Sequence, residues 1–322
     1  MPQPKDQHIS AEISTPHDPH RSWAERNGFA DWILAIGWII VAFVLFQVVA
    51  SIVAFTLIIG QSGGDLNLVG SVELLTEHIN LLFIGNSAGQ IVFLGLATWF
   101  WVRLHVSAQN RPTFMRFKYD KNTPRNMLIA GLLIVTIQPL IWFLAWLNAF
   151  LPVPDFFSDM QSSQMEMIEN FLKGDHNIWL TLFHVALVPA VCEEVLYRGY
   201  VLRAFQKSWS IWPAIIISGL FFGMYHVQLS NLLPLASIGI ILAYITWTTR
   251  SIFPAMAAHF VNNGGSVLVG KYYPESAFAE MTPESMPPVW AVIISLAISA
   301  NIVYWLYNQH KKRTAGGGFY DE

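Results

Sequence analysis

Eight long apolar runs, separated by short polar connections, leave this 322-residue chain few folds to choose from. They occupy residues 29–60, about 81–102, about 126–151, about 178–197, about 211–229, about 232–248, about 251–269 and about 288–307. Several reach the roughly 20 residues that an α-helix needs to cross a hydrocarbon core of about 30 Å. With 54% hydrophobic and only 12% charged residues, the chain is far from the balance of an ordinary soluble domain. The expected fold is all-α, a polytopic membrane helix bundle of about eight transmembrane helices.

The basic residues test that reading independently, because Lys and Arg collect in the cytoplasmic connections of a correctly placed set of helices. Sixteen of the 18 fall in alternate connections: before the first run, in 103–125, in 198–207, at Arg250 and after the last run. The other connections hold only Lys173 and Lys271. The expectation is a multi-pass integral membrane protein of the cell (inner) membrane with both termini cytoplasmic. It divides into a tail at 1–28, a helical domain at 29–308 and a second tail at 309–322. The polar segment before residue 29 is unlike a cleaved signal peptide, because the run that follows is far longer than a signal core. His8, His17 and His20 read as solvated tail residues, and the single Cys192 excludes an intramolecular disulfide. No basic patch for nucleic acid is present.

In the connection 152–177, Met160, Met165, Ile168 and Leu172 recur near helical spacing, with Ser158 as a candidate cap and Gly174 as a stop. This is an amphipathic helix, either lying along the outer interface or packed on the bundle.

The stretch "VPAVCEEVLYRGY", 188–200, places two glutamates and an arginine in apolar surroundings. Glu194 precedes Arg198 by four, the favourable order for an intrahelical ion pair. Glu193, five residues from Arg198, lies about 140° around the helix and is left as the unpaired acid. An ionisable group inside a membrane is a functional candidate by default. Donors for it are at hand in later runs: "FFGMYH" carries His226, and "MAAHFVNN" carries His259 and Asn263, four apart on one face. Gly223, Gly264 and Gly265 would permit close helix approach or a local break. His184, about 180° from Glu193, reads as structural, and Cys192, pointing about 100° away from Glu193, reads as packing.

These residues carry a resemblance. "EEVLYR" matches the EExxxR motif of the CAAX-protease and bacteriocin-processing (Abi) family of intramembrane endopeptidases, to which the type II CAAX prenyl endopeptidases belong. "FGMYH" matches its FxxxH at Phe222 and His226, and "HFVNN" its HxxxN at His259 and Asn263. The resemblance covers roughly residues 178–270. It implies a bundle enclosing a polar catalytic cavity, with a membrane-associated peptide or protein as substrate and the bilayer as partner. It also implies that Glu193 and His226 activate a water while His259 and Asn263 stabilise the oxyanion, with Glu194, Arg198 and Phe222 in support. The physical needs of such a reaction agree with that division.

A zinc centre on Glu193, His226 and His259 is the competing chemistry, since three protein ligands plus water suffice for it. The absence of an HExxH pair, and the amide of Asn263 beside His259, favour chemistry without a cofactor. An immunity or scaffold protein of the same fold, or a proton-coupled transporter, is the competing function. A difficulty stands beside both. Straight helices beginning at 178 and 211 put Glu193 and His226 at depths more than about 10 Å apart, at 1.5 Å per residue.

Overall fold

The computed structural model describes residues 22–61, 78–106, 110–174, 176–277 and 284–316. His8, His17 and His20 lie outside them. Ten principal helices are described: α1 Asp31–Gln61, α2 Ile79–Leu104, α3 Thr123–Thr136, α4 Gln138–Asn148, α5 Asp155–Lys173, α6 Ile178–Ser208, α7 Ile211–Tyr225, α8 Leu232–Thr249, α9 Phe253–Tyr272 and α10 Val289–Gly316. Among the described residues there is no strand.

Each of the eight apolar runs is helical, yet the expected count of about eight spans is not reached. Among the described residues α1, α2, α6, α8 and α10 are long and apolar enough to cross a membrane, and α3 with α4 makes a sixth if the two form one bent span. The shortfall has two causes. With 15 residues, α7 is only about 22 Å long at 1.5 Å per residue, short of the hydrocarbon core. With 20 residues, α9 is long enough, but His259, Asn262, Asn263, Gly264 and Gly265 dilute its hydropathy. The 45° bend between α3 and α4 falls at Gln138 and Pro139, where the ring removes a backbone donor. Beside the bend Gln138 Nε2 donates to the Ile134 carbonyl at 2.9 Å and to Asn262 Oδ1 of α9 at 3.2 Å.

The core is built around α6, which packs against α1, α2, α7, α8 and α9. Its polar second half, "YRGYVLRAFQKS", stays helical to Ser208, although the apolar pattern stops near 197. The side chains of that half are anchored inside. Tyr200 receives Trp101 Nε1–H at 2.9 Å and bonds His105 Nε2 at 2.8 Å, and His105 Nδ1–H donates to Asp31 at 2.5 Å. The connection before α3 folds under this half of the bundle: Met115 is fully buried, with its side chain against Gly199, and Arg203 Nε donates to the Phe114 carbonyl. The outer faces of α1 and α10 instead expose Ile40, Ile52, Ile293 and Leu296, as lipid-facing surfaces do.

Helix α5 is amphipathic, and it packs on the bundle through Met167, Ile168, Phe171 and Leu172 against Ile79, Phe83 and Val267. It ends at Gly174 as expected. It begins at Asp155 after Pro154, and the Ser158 hydroxyl bonds back to the Asp155 carbonyl instead of capping the start. Helix α9 runs unbroken through Gly264 and Gly265, and α10 continues to Gly316, past the boundary expected at 308.

Candidate active site

The depth difficulty resolves through the length of α6. Glu193 lies 15 residues before its end at Ser208, and His226 lies 15 residues after the start of α7 at Ile211. The two helices run antiparallel about the turn at Trp209 and Ser210, so both residues stand roughly 22 Å from that turn. A helix ending at 197 would leave the two residues offset.

Close backbone approach tightens the site. A Cβ on Gly219 would lie 2.6 Å from Ile240 N, and one on Gly239 would lie 2.7 Å from the Gly219 carbonyl. Only glycines let α7 and α8 meet there, and the approach delivers the Gly239 carbonyl to Arg198 Nη2 at 3.0 Å. At the end of α7 the chain turns sharply: Val227 adopts φ 54°, a left-handed conformation that strains a β-branched residue by about 1–3 kcal/mol. Asn148 of α4 holds the returning chain, donating to the Leu229 carbonyl at 2.9 Å and accepting Leu233 N–H at 2.8 Å.

Glu194 is the hub of a buried ionic cluster in which its own Oε2 and Arg198 Nε have no hydrogen-bond partner. Its Oε1 accepts Arg198 Nη1 at 2.8 Å, the pair expected from their spacing, and also His259 Nδ1 at 2.9 Å. The Glu194 and Arg198 side chains are 0% exposed and that of His259 3%. Phe222 covers the cluster: its ring lies 4.5 Å from the Arg198 guanidinium carbon, 5.6 Å from His259 and 4.9 Å from His226. Glu193 stays outside the cluster, buried, with Oε2 lacking any hydrogen-bond partner.

Hydrogen bonding fixes the histidine tautomers, because carbonyls and carboxylates only accept. His226 Nδ1–H donates to the Phe222 carbonyl at 2.8 Å, so neutral His226 keeps a bare Nε2 able to accept from a water. His259 commits Nδ1–H to Glu194. Its Nε2 becomes a donor only in the imidazolium form. Asn263 does not aim its amide wholly at the site: Nδ2 donates to the Val185 carbonyl of α6 at 3.3 Å, leaving one N–H, and Oδ1 accepts from Asn262. Glu193, Glu194, Arg198, Phe222, His226 and His259 thus gather at one level of α6, α7 and α9. Asn263 sits a turn further along α9.

His184 pairs with Ser87 at 2.8 Å and Cys192 packs on Gly95, away from the cluster. Among the described residues no three His, Cys, Asp or Glu side chains converge on one point, so Glu193, His226 and His259 as placed do not fit a zinc centre. Sequence reasoning missed the bond from His259 to Glu194. Nothing in the spacing signals it, because it joins helices 65 residues apart.

The chain is thus an all-helical bundle with apolar helices long enough to cross a membrane, a buried carboxylate and a buried Glu–Arg–His cluster. Residues 175–265, which hold all four candidate catalytic residues, match the family described as type II CAAX prenyl endopeptidase Rce1-like, a match over less than a third of the chain. An Escherichia coli protein described as an uncharacterized 24.3 kDa protein is 34% identical over 68 residues, 20% of this chain and 31% of that protein. The chain therefore aligns with about a third of that relative's length. No solved structure matches it.

Proposed function

We propose that the protein is an intramembrane endopeptidase that hydrolyses a peptide bond of a membrane-associated peptide or protein, with Glu193 as general base. The observation that carries this reading is the inequality of the two adjacent acids. Glu194 Oε1 accepts from both Arg198 and His259, while Glu193 makes no ion pair among the described residues; Oε2 of each acid is buried without a hydrogen-bond partner. A carboxylate oxygen committed to no protein donor is free to take a proton from a bound water.

In this mechanism a water between Glu193 and His226 Nε2 attacks the scissile carbonyl carbon. One water proton passes to Glu193 as the new C–O bond forms and the carbonyl π pair moves onto oxygen. His259, oriented by Glu194 and donating in its imidazolium form, and the second N–H of Asn263 donate to that oxyanion. Collapse expels the amine, which takes up the proton from Glu193. Arg198 touches no reacting atom; it fixes the Glu194 carboxylate, and through it orients His259.

No cofactor is assigned. The substrate class extends from the family's name to prenylated CAAX peptides, and the bilayer that holds such a substrate is the partner. Both termini and the basic connection 103–125 are placed in the cytoplasm, on the distribution of Lys and Arg. The test is the purified protein in liposomes, offered a farnesylated CAAX peptide and an unprenylated membrane peptide side by side. Cleavage of either, lost in Glu193→Gln at equal folded yield, is the expected result. Substrate-independent folding with no cleavage of any membrane peptide would return the protein to the scaffold or transporter class.

A further inference from the structure

Helix α6 presents two acidic faces, and only one is accounted for above. Glu194 and Arg198 turn toward α8 and α9, whereas Glu193 shares its face with Tyr197, four residues on. The Tyr197 ring meets Tyr225 of α7 edge to face at 5.7 Å. From the other side Phe43 of α1 holds Tyr225 at 4.9 Å and Phe46 stacks on it at 6.4 Å. The phenol is therefore clamped on the Glu193 face, one residue before His226. Its hydroxyl is buried with no hydrogen-bond partner, as is Glu193 Oε2, and the charge of Glu193 is felt at Tyr225. The Tyr197 hydroxyl, by contrast, is turned to the Phe221 carbonyl at 3.4 Å.

Orphaned buried polar atoms are normally served by water, because an unmet buried hydroxyl or carboxylate oxygen costs about 1–3 kcal/mol or more. We infer that Tyr225 is a further catalytic residue, whose hydroxyl donates to one lone pair of the water that Glu193 and His226 hold by its two protons. This rests on the peptidase reading insofar as that water is the nucleophile. Held by two acceptors and one donor, the water presents its remaining lone pair to the scissile carbon. As the C–O bond forms, one of its protons goes to Glu193, and Tyr225 keeps its own proton throughout. A phenylalanine would leave every ring contact in place and release the water from one side.

Tyr225→Phe is the test, read in three ways in reconstituted full-length protein. Turnover should fall about 10²-fold, the loss expected for a reacting group misplaced by about 1 Å, while KM stays within about twofold. The thermal midpoint should hold, since the hydroxyl has no protein partner. A lower midpoint would mean it has one, and would contradict the assignment. Independently of activity, infrared difference spectra between each protein and its Glu193→Gln partner isolate the Glu193 carboxyl band. That band should move on Tyr225→Phe. An unmoved band with unchanged turnover overturns the inference. A moved band with unchanged turnover shows a shared water that is not the nucleophile, which overturns the catalytic role. A moved band in a protein that cleaves nothing sinks the peptidase reading and the catalytic role with it, leaving only the shared water.

Discussion

Replacing each of the two adjacent glutamates by glutamine should have opposite consequences for stability and the same consequence for activity. In Glu194→Gln the carboxylate that accepts from Arg198 at 2.8 Å and His259 at 2.9 Å becomes a neutral amide. The guanidinium stays 0% exposed, with only the Gly239 carbonyl at 3.0 Å and the new amide oxygen to face. Stranding one partner of a buried ion pair costs about 3–5 kcal/mol. In Glu193→Gln the lost charge had no partner at Oε2, so the change should lie within about 1 kcal/mol and toward stabilisation. At roughly 2 °C per kcal/mol, the two variants should differ by on the order of 5–10 °C in thermal midpoint. The assay is tryptophan-fluorescence unfolding in detergent, run beside peptide cleavage. A Glu194→Gln, Arg198→Met double variant should recover part of the loss, because removing both charges leaves neither stranded. Equal midpoints, or Glu193→Gln as the less stable of the pair, would refute the reasoning.

Asn263→Ala should lower turnover by about 10²- to 10³-fold with little change in KM, the loss of one oxyanion donor, measured by single-turnover kinetics. Gly219→Ala should fail to accumulate in the membrane, because its Cβ would lie 2.6 Å from Ile240 N in a contact between two backbones; wild-type yield on a blot would contradict it. The native Cys192 is buried, so introduced thiols report alone. Tyr119→Cys and Tyr273→Cys, both at exposed positions, should label from opposite sides of the membrane. Labelling from one side would overturn the assigned topology.

Much of this was legible in the sequence wherever local spacing decides the outcome. The eight apolar runs became helices, and the four-residue interval of Glu194 and Arg198 became a 2.8 Å ion pair. What was hidden depends on contacts between distant segments. The polar stretch after Tyr197 resembles a loop, yet it is helical because Arg198, Tyr200 and Arg203 find partners on α8, α2 and the connection before α3. That extra length brings Glu193 level with His226. Likewise hydropathy alone made α7 and α9 look like spans, when the one is too short and the other is diluted by the polar residues the site requires. The bond from His259 to Glu194 and the orphaned Tyr225 hydroxyl belong to the same class, invisible to any periodicity.

The claim on which the rest depends is that Glu193 acts on water as a base and not as a metal ligand. Its most direct test is cleavage by reconstituted protein after exhaustive dialysis against a strong chelator, with Glu193→Gln in parallel. The account predicts that the wild type retains its turnover and that Glu193→Gln has none. Turnover abolished by the chelator and restored by zinc would contradict it, and would reassign Glu193, His226 and His259 as ligands drawn together by the ion.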